Sequence, residues 1–104
     1  MKENKIRIIA ARGGEQMKVE EIDNTLEAMQ RFVGGHIEAV PLFDKDNKIV
    51  LICNEEGRIM GLPDNRGIAG DFFLCSVDKD EFTSITPGPG LFHVLARDFG
   101  AVAL

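Results

Sequence analysis

The sequence lacks long apolar runs and is poor in cysteine. No stretch of about 20 consecutive apolar residues occurs, so we expect no membrane-spanning helix. The first residues are polar and precede only a short apolar run, which does not fit a secretory signal peptide. Cys53 and Cys75 lie inside apolar segments and are too few for a disulfide framework. We therefore expect two buried thiols and a cytoplasmic location, with a disulfide as the alternative if their strands are neighbours.

An excess of positive charge is also absent. The chain has 17 acidic and 12 basic residues, and its net charge of −5 is dispersed along the sequence. Mild acidity of this kind disfavours direct nucleic-acid binding. It is too weak for a protein mimic of DNA, which must match about one charge per 1.7 Å of duplex axis. We expect neither nucleic acid nor a membrane as a partner.

Motifs for catalysis, metal binding and phosphate binding are missing. His36, Cys53, Cys75 and His93 do not have the compact paired spacing of structural zinc sites. No serine lies in a nucleophile-elbow pattern, and no glycine loop matches a phosphate-binding fingerprint. The sequence predicts no metal and no cofactor, and it favours a non-enzymatic protein.

What the sequence does contain is a series of short apolar segments separated by turn residues. Its 104 residues suit one domain, residues 1–104. The composition predicts strands over 6–11, 17–22, 37–43, 49–53 and 72–77, and a short strand over 58–60. We predict an α+β fold with a single small mixed or antiparallel sheet of four to six strands. One helix at about 24–34 and a C-terminal helix complete it.

The helix at about 24–34 has signals at both ends. Asn24 is a candidate N-cap and Glu27 lies at capping-box spacing. Gly34 and Gly35 are suited to end the helix, because glycine adopts the left-handed conformation easily. In the C-terminal segment, Leu91 opens a helical apolar pattern that Gly100 would end, and a strand over 92–96 is the alternative.

Two strands have features that place them in the sheet. Pro41 has no amide donor, which predicts an edge or a bulge for 37–43. The unbroken apolar run 49–53 predicts a central strand covered on both faces. The residues expected to dominate the core are Leu26, Met29, Val33, Ile37, Val40, Val50, Ile52, Phe73 and Val77.

Polar turn residues are concentrated between the predicted strands 49–53 and 72–77. We predict a tight turn over 54–57, with Gly57 at a position that needs positive φ, and a loop over 61–67. Asn54 and Asn65 either fix turn geometry or belong to a polar rim that binds a ligand or partner. The candidate binding residues of that rim are Asn54, Glu55, Glu56, Gly57, Arg58, Asn65 and Arg66.

The middle of the chain has a distinctive order of motifs: residues 26–33 leading into Gly34-Gly35, then Ile37-Glu38, the 54–57 turn, Leu62-Pro63 with Asn65, and Gly70-Asp71. In this order they resemble an uncharacterised family of small bacterial and phage-borne domains of unknown function. Two departures are His36, where such sequences usually have tyrosine, and a short 67–69 segment. The resemblance implies a cytosolic protein of a kind often linked to mobile elements, and it implies no known activity, cofactor or substrate.

Three functional hypotheses follow. The first is a non-enzymatic protein-interaction module that uses the 54–66 region. The second is a small-molecule binder or small enzyme that uses carboxylates of the 38–71 region, with Glu38, Glu55 or Glu56 as acid or base; Asp64 and Asp71 lie in the same region. The third is a homodimeric structural protein that associates through a strand edge or through the apolar tail 101–104.

Overall fold

A computed structural model describes residues 4–44 and 47–100 and contains one large antiparallel sheet with a helix on each face. The sheet has six strands in the order β2-β1-β7-β4-β3, with β8 paired to β7, and β5 and β6 form a separate small hairpin. The strands are β1 (Lys5–Ala11), β2 (Lys18–Asp23), β3 (Ile37–Asp44), β4 (Asn47–Asn54), β5 (Asp64–Asn65), β6 (Ile68–Ala69), β7 (Phe72–Asp78) and β8 (Glu81–Thr83). The helices are α1 (Leu26–Val33) and α2 (Pro89–Phe99). The predicted α+β class is confirmed.

Strand β4 shows why an unbroken apolar run indicates an interior strand. It lies between β7 and β3, so its residues alternate between two covered faces. Leu51 belongs to the core cluster under α2, and Ile52 belongs to the cluster under α1. Both side chains are almost fully buried. Strand β3 is the outermost strand on that side, as Pro41 predicts.

Helix α1 begins one residue later than its capping pattern suggests. The N-cap is Thr25, whose hydroxyl accepts a hydrogen bond from the Ala28 amide at 3.1 Å. Asn24 lies before the helix, and its carboxamide donates to the Phe82 carbonyl at 3.2 Å. The predicted cap at Asn24 is therefore wrong, and Leu26 is 58% exposed rather than part of the core. Gly34 ends the helix in the left-handed conformation, as predicted.

Helix α2 settles the choice between helix and strand for the C-terminal segment. It starts with Pro89 at its first position, where a missing amide is harmless, and Gly100 ends it with φ of 66°. Leu91, Val94 and Leu95 are buried against the sheet. The tail 101–104 lies outside the described residues. Neither described helix is long and apolar enough to cross a membrane.

The two cysteines are free and buried, although their strands are neighbours. Cys53 belongs to the cluster under α2 and Cys75 to the cluster under α1, so their side chains lie on opposite faces of the sheet. This geometry excludes a disulfide between them. Of the predicted core residues other than Leu26, five are buried and three lie at the core margin. The buried ones are Met29, Val33, Val50, Ile52 and Phe73, and the marginal ones are Ile37, Val40 and Val77.

Candidate functional site

The two polar bends predicted from the sequence lie at the same end of the sheet. Strand β4 ends at Asn54, and β7 starts after the β5–β6 hairpin. Because Ile52 is opposite Phe73 in the antiparallel register, the end of β4 and the start of β7 are adjacent. The end of β1 joins them, since Ala11 is opposite Phe72.

Asn54 ties the first bend to helix α1. It is 5% exposed, and its amide nitrogen donates to the Val33 carbonyl at 3.1 Å. Its side-chain oxygen accepts from the Glu56 amide at 2.8 Å, which closes a turn around the asparagine itself. The carboxamide therefore fixes loop geometry and is not presented at the surface.

Gly57 is required for a close approach and not for its backbone angle. It is absent from the positive-φ residues of the described chain, so that part of the prediction is wrong. A β-carbon built at Gly57 would lie 2.6 Å from the Ala69 carbonyl oxygen. The glycine thus lets the first bend pack directly on the backbone of the β5–β6 hairpin.

Residues 55–61 form consecutive turns instead of the short strand predicted at 58–60. The Met60 amide donates to the Glu56 carbonyl at 2.9 Å, and the Leu62 amide donates to the Gly57 carbonyl at 2.9 Å. These local bonds satisfy the backbone without a neighbouring strand. Gly61, with φ of 73°, lets the chain leave the last turn.

Asn65 ties the hairpin to the sheet. It is 5% exposed and donates to the Ala11 carbonyl at 2.9 Å and the Gly70 carbonyl at 3.1 Å. Arg66 adopts φ of 57° in the hairpin turn, and its guanidinium donates to the Asn65 side-chain oxygen at 2.7 Å. The same guanidinium donates to the carbonyls of Arg12 and Glu15. Asn65 and Arg66 therefore hold the second bend against the turn after β1.

We name two parts of this region. The loop base consists of the buried residues Asn54, Gly57 and Asn65. The loop tip consists of the exposed residues Glu55, Glu56, Arg58, Ile59 and Met60. Ile59 is 86% exposed and Met60 is 55% exposed. Among the predicted binding residues, only Glu55, Glu56 and Arg58 have exposed side chains.

A cleft of about 400 Å³ lies between the loop tip, the β5–β6 hairpin and the edge strand β3. Its apolar lining includes Val40, Cys53, Ile59 and Ile68, and its charged groups are Glu38, Glu55 and Arg58. Burial raises the pKa of the Cys53 thiol, and the Glu38 carboxylate raises this pKa further. The thiol is therefore protonated at neutral pH and acts as part of an apolar wall.

The cleft gathers some of the predicted acids and leaves others out. Glu38 and Glu55 both line it, whereas Glu56, Asp64 and Asp71 do not. Asp71 accepts a hydrogen bond from the Gly13 amide at 3.0 Å. The binding residues predicted from the sequence do not include Ile59. The pattern that could have identified it is the apolar pair Ile59-Met60, which lies between Gly57 and Gly61 in a turn-rich segment.

A second concave surface, of about 560 Å³, lies between α1 and the β1–β2 hairpin. Its charges are largely compensated. Lys5 pairs with Asp23 at 2.9 Å, and Arg12 pairs with Glu20 and lies 4.6 Å from the centre of the Phe32 ring. The hydrogen bond from Arg12 lowers the pKa of Glu20. This groove has no excess of either charge and is the weaker candidate.

The described residues contain no group of three or more His, Cys, Asp or Glu side chains that would hold a metal ion.

A family model described as a domain of unknown function, DUF3846, matches residues 6–89. The chain belongs to the DUF3846 family. This confirms the resemblance to an uncharacterised family of small domains. The match contains the loop base, the loop tip and the cleft, and it ends where α2 begins. No curated protein and no solved structure matches the chain.

Proposed function

We propose that this DUF3846 domain is a non-enzymatic protein-interaction module whose binding surface is the loop tip and the adjacent cleft. The observation that carries the proposal is Ile59, which is 86% exposed on a loop whose base is fixed by buried hydrogen bonds. Full burial of such a side chain against a partner is worth about 1.5–3 kcal/mol. Because the loop is already ordered, little conformational entropy is lost on binding.

The surroundings of Ile59 have the arrangement of a protein interface. Apolar surface from Ile59 and Met60 lies at the centre, and charged side chains of both signs surround it. An apolar centre with a polar rim is typical of protein–protein contacts. The neighbouring cleft supplies a concave pocket for a side chain of the partner.

The test is site-specific crosslinking in the native host. A photoreactive residue at position 59 should form an adduct with one partner protein. The matched control is position 19, where Val19 is also exposed, at 54%, but lies on β2 at the opposite edge of the sheet. No adduct from position 59, or the same set of adducts from both positions, would contradict the proposal.

We also propose that the protein acts in the cytoplasm of a bacterium and is connected with mobile elements. The support is the family resemblance together with the two free, buried thiols. Fractionation of the native host tests the location, and recovery of the protein outside the cytoplasmic fraction would contradict it.

A second candidate function is small-molecule binding, and the observation that favours it is the convergence of Glu38 and Glu55 on one cleft. Carboxylates beside an apolar wall suit a small cationic, partly apolar molecule. NMR screening with small amines tests this. Shifts at the amides of Glu38 and Gly57 that are abolished by Glu38→Gln would support it, and shifts confined to other surfaces would remove it.

A further inference from the structure

Strand β3 is the outermost strand of the sheet among residues 4–44 and 47–100. One hydrogen bond shows which of its backbone groups point towards β4 and which point outward. The Glu55 amide donates to the His36 carbonyl at 2.8 Å, and these two residues are opposite each other when the register of Ile37 with Asn54 is extended by one residue. In an antiparallel pair, hydrogen-bonded and non-hydrogen-bonded positions alternate. The backbone groups of Glu38 and Val40 therefore point towards β4, and those of Ile37 and Ala39 point outward.

The position of Pro41 is consistent with this alternation of inward and outward backbone groups. It is opposite Val50 at a non-hydrogen-bonded position, so its missing amide faces outward and costs the β3–β4 ladder nothing. The outward donors before it are the amides of Ile37 and Ala39. Proline at this place also limits how far another strand can pair along the edge.

The cleft borders the same stretch of β3. Glu38 and Val40 line it, and both side chains lie on the face of the sheet that α2 covers elsewhere. A strand laid along β3 would place one side chain beside Glu38 and the next but one beside Val40. Glu38 is exposed and has no ion-pair partner among residues 4–44 and 47–100.

We propose that β3 accepts an extended segment of a partner protein as an additional strand. The segment pairs with Ile37 and Ala39, places a lysine or arginine beside Glu38, and directs an aliphatic side chain into the cleft next to Val40 and Ile59. Strand addition of this type obtains affinity from backbone hydrogen bonds and specificity from the pockets for alternate side chains. The inference rests on the proposed function, because it uses the same surface.

The opposite edge and a second copy of the chain are poorer matches. On the β2 edge, Lys18 and Asp23 already form ion pairs within the domain, with Glu20 and Lys5. A second copy would bring another Glu38 and another net charge of −5 to the β3 edge. Like charges on neighbouring strands are destabilising, so a basic segment suits this edge better.

The test begins with selection of random dodecapeptides on the immobilised domain. Selected peptides should contain a basic residue two positions from an aliphatic one. Ala39→Pro removes only an outward donor, as Pro41 does naturally, and should weaken binding roughly tenfold. The matched control Ala39→Val should bind within about twofold of the wild type. Glu38→Lys should shift the selection from basic to acidic peptides.

A second measurement does not depend on the variants folding. In the complex with the wild-type domain, the amides of Ile37 and Ala39 should exchange with solvent more slowly than in the free domain. Unchanged exchange there, equal affinity for Ala39→Pro, or failure to select any peptide overturns strand addition. If crosslinking at position 59 succeeds in that case, the proposed function survives. If sedimentation shows a dimer and Ala39→Pro dissociates it, the inference is also overturned, because a second copy of the chain would then occupy the β3 edge.

Discussion

The loop base and the loop tip are close in sequence but differ in burial and in hydrogen bonding. Asn54 and Asn65 are each 5% exposed and hydrogen-bonded to distant backbone, whereas Ile59 is 86% exposed. The base contains two buried asparagines, and the tip contains two exposed apolar residues, Ile59 and Met60. These asparagines and these apolar residues reverse the usual preference of their residue types.

The difference shows how a small domain keeps an apolar side chain in a defined position at its surface. An exposed isoleucine gains nothing for the stability of the monomer, so its position must be fixed by other residues. Buried asparagines fix the position of the loop, because losing one of their hydrogen bonds would leave a buried polar group without a partner, which is costly. We therefore expect the base to determine stability and the tip to contribute little to it.

The largest expected effect is that of Asn65→Ala. It removes the donors to the carbonyls of Ala11 and Gly70 and the acceptor for Arg66. Buried groups left without a partner cost about 1–3 kcal/mol each, and we expect a loss of about 3 kcal/mol in the free energy of unfolding. Urea denaturation measures it. Arg58→Ala in the exposed tip is the control and should change the value by less than about 0.5 kcal/mol.

Gly57→Ala should have the next largest effect. The new β-carbon would lie 2.6 Å from the Ala69 carbonyl oxygen, and the loop would have to move away from the hairpin. We expect a loss of about 1–3 kcal/mol, as for an overpacked core position. Gly13→Ala is the matched control, because a β-carbon there meets nothing closer than 3.9 Å. Equal stability of the two variants would show that the base is not tightly packed.

The parts of the fold that could be predicted are those set by local chemistry. Gly34 ends α1 because a left-handed residue is needed there, and Pro41 marks an edge strand because it lacks a donor. Both rules concern a single residue and its own backbone. The alternation of covered faces in β4 could likewise be inferred from its apolar run.

The site was less predictable because its contacts are long-range. The sequence indicates that Gly57 is special, but only the position of Ala69 shows that the reason is contact rather than backbone angle. Asn65 bonds to Ala11, 54 residues earlier in the chain. The strand predicted at 58–60 does not form. A strand must pair with a neighbouring strand, whereas the backbone around Ile59 is hydrogen-bonded within consecutive turns.

The two cysteines allow local opening near the cleft to be compared with unfolding of the whole domain. Burial raises the pKa of Cys75 to about 12, and this residue has no exposed surface. Cys53 also has a raised pKa but is 8% exposed in the wall of the cleft. Single-cysteine variants treated with iodoacetamide should show Cys53 reacting first through local opening of the loop, and Cys75 reacting only on unfolding. Mass spectrometry over time measures both, and equal rates would mean that the region opens only with the whole domain.

The smallest expected effect on stability is that of Ile59→Ser, and it is the one that separates base from tip most sharply. The side chain is exposed in the free domain, so its removal should change the free energy of unfolding by less than about 0.5 kcal/mol. Ile52→Ala, at a fully buried position of the neighbouring strand, should cost about 2–5 kcal/mol in the same assay. Partner crosslinking from position 60 should nevertheless fall strongly in the Ile59→Ser domain. A variant that unfolds easily would mean that Ile59 is packed in solution, and one that retains both stability and partner would mean that binding depends on another surface.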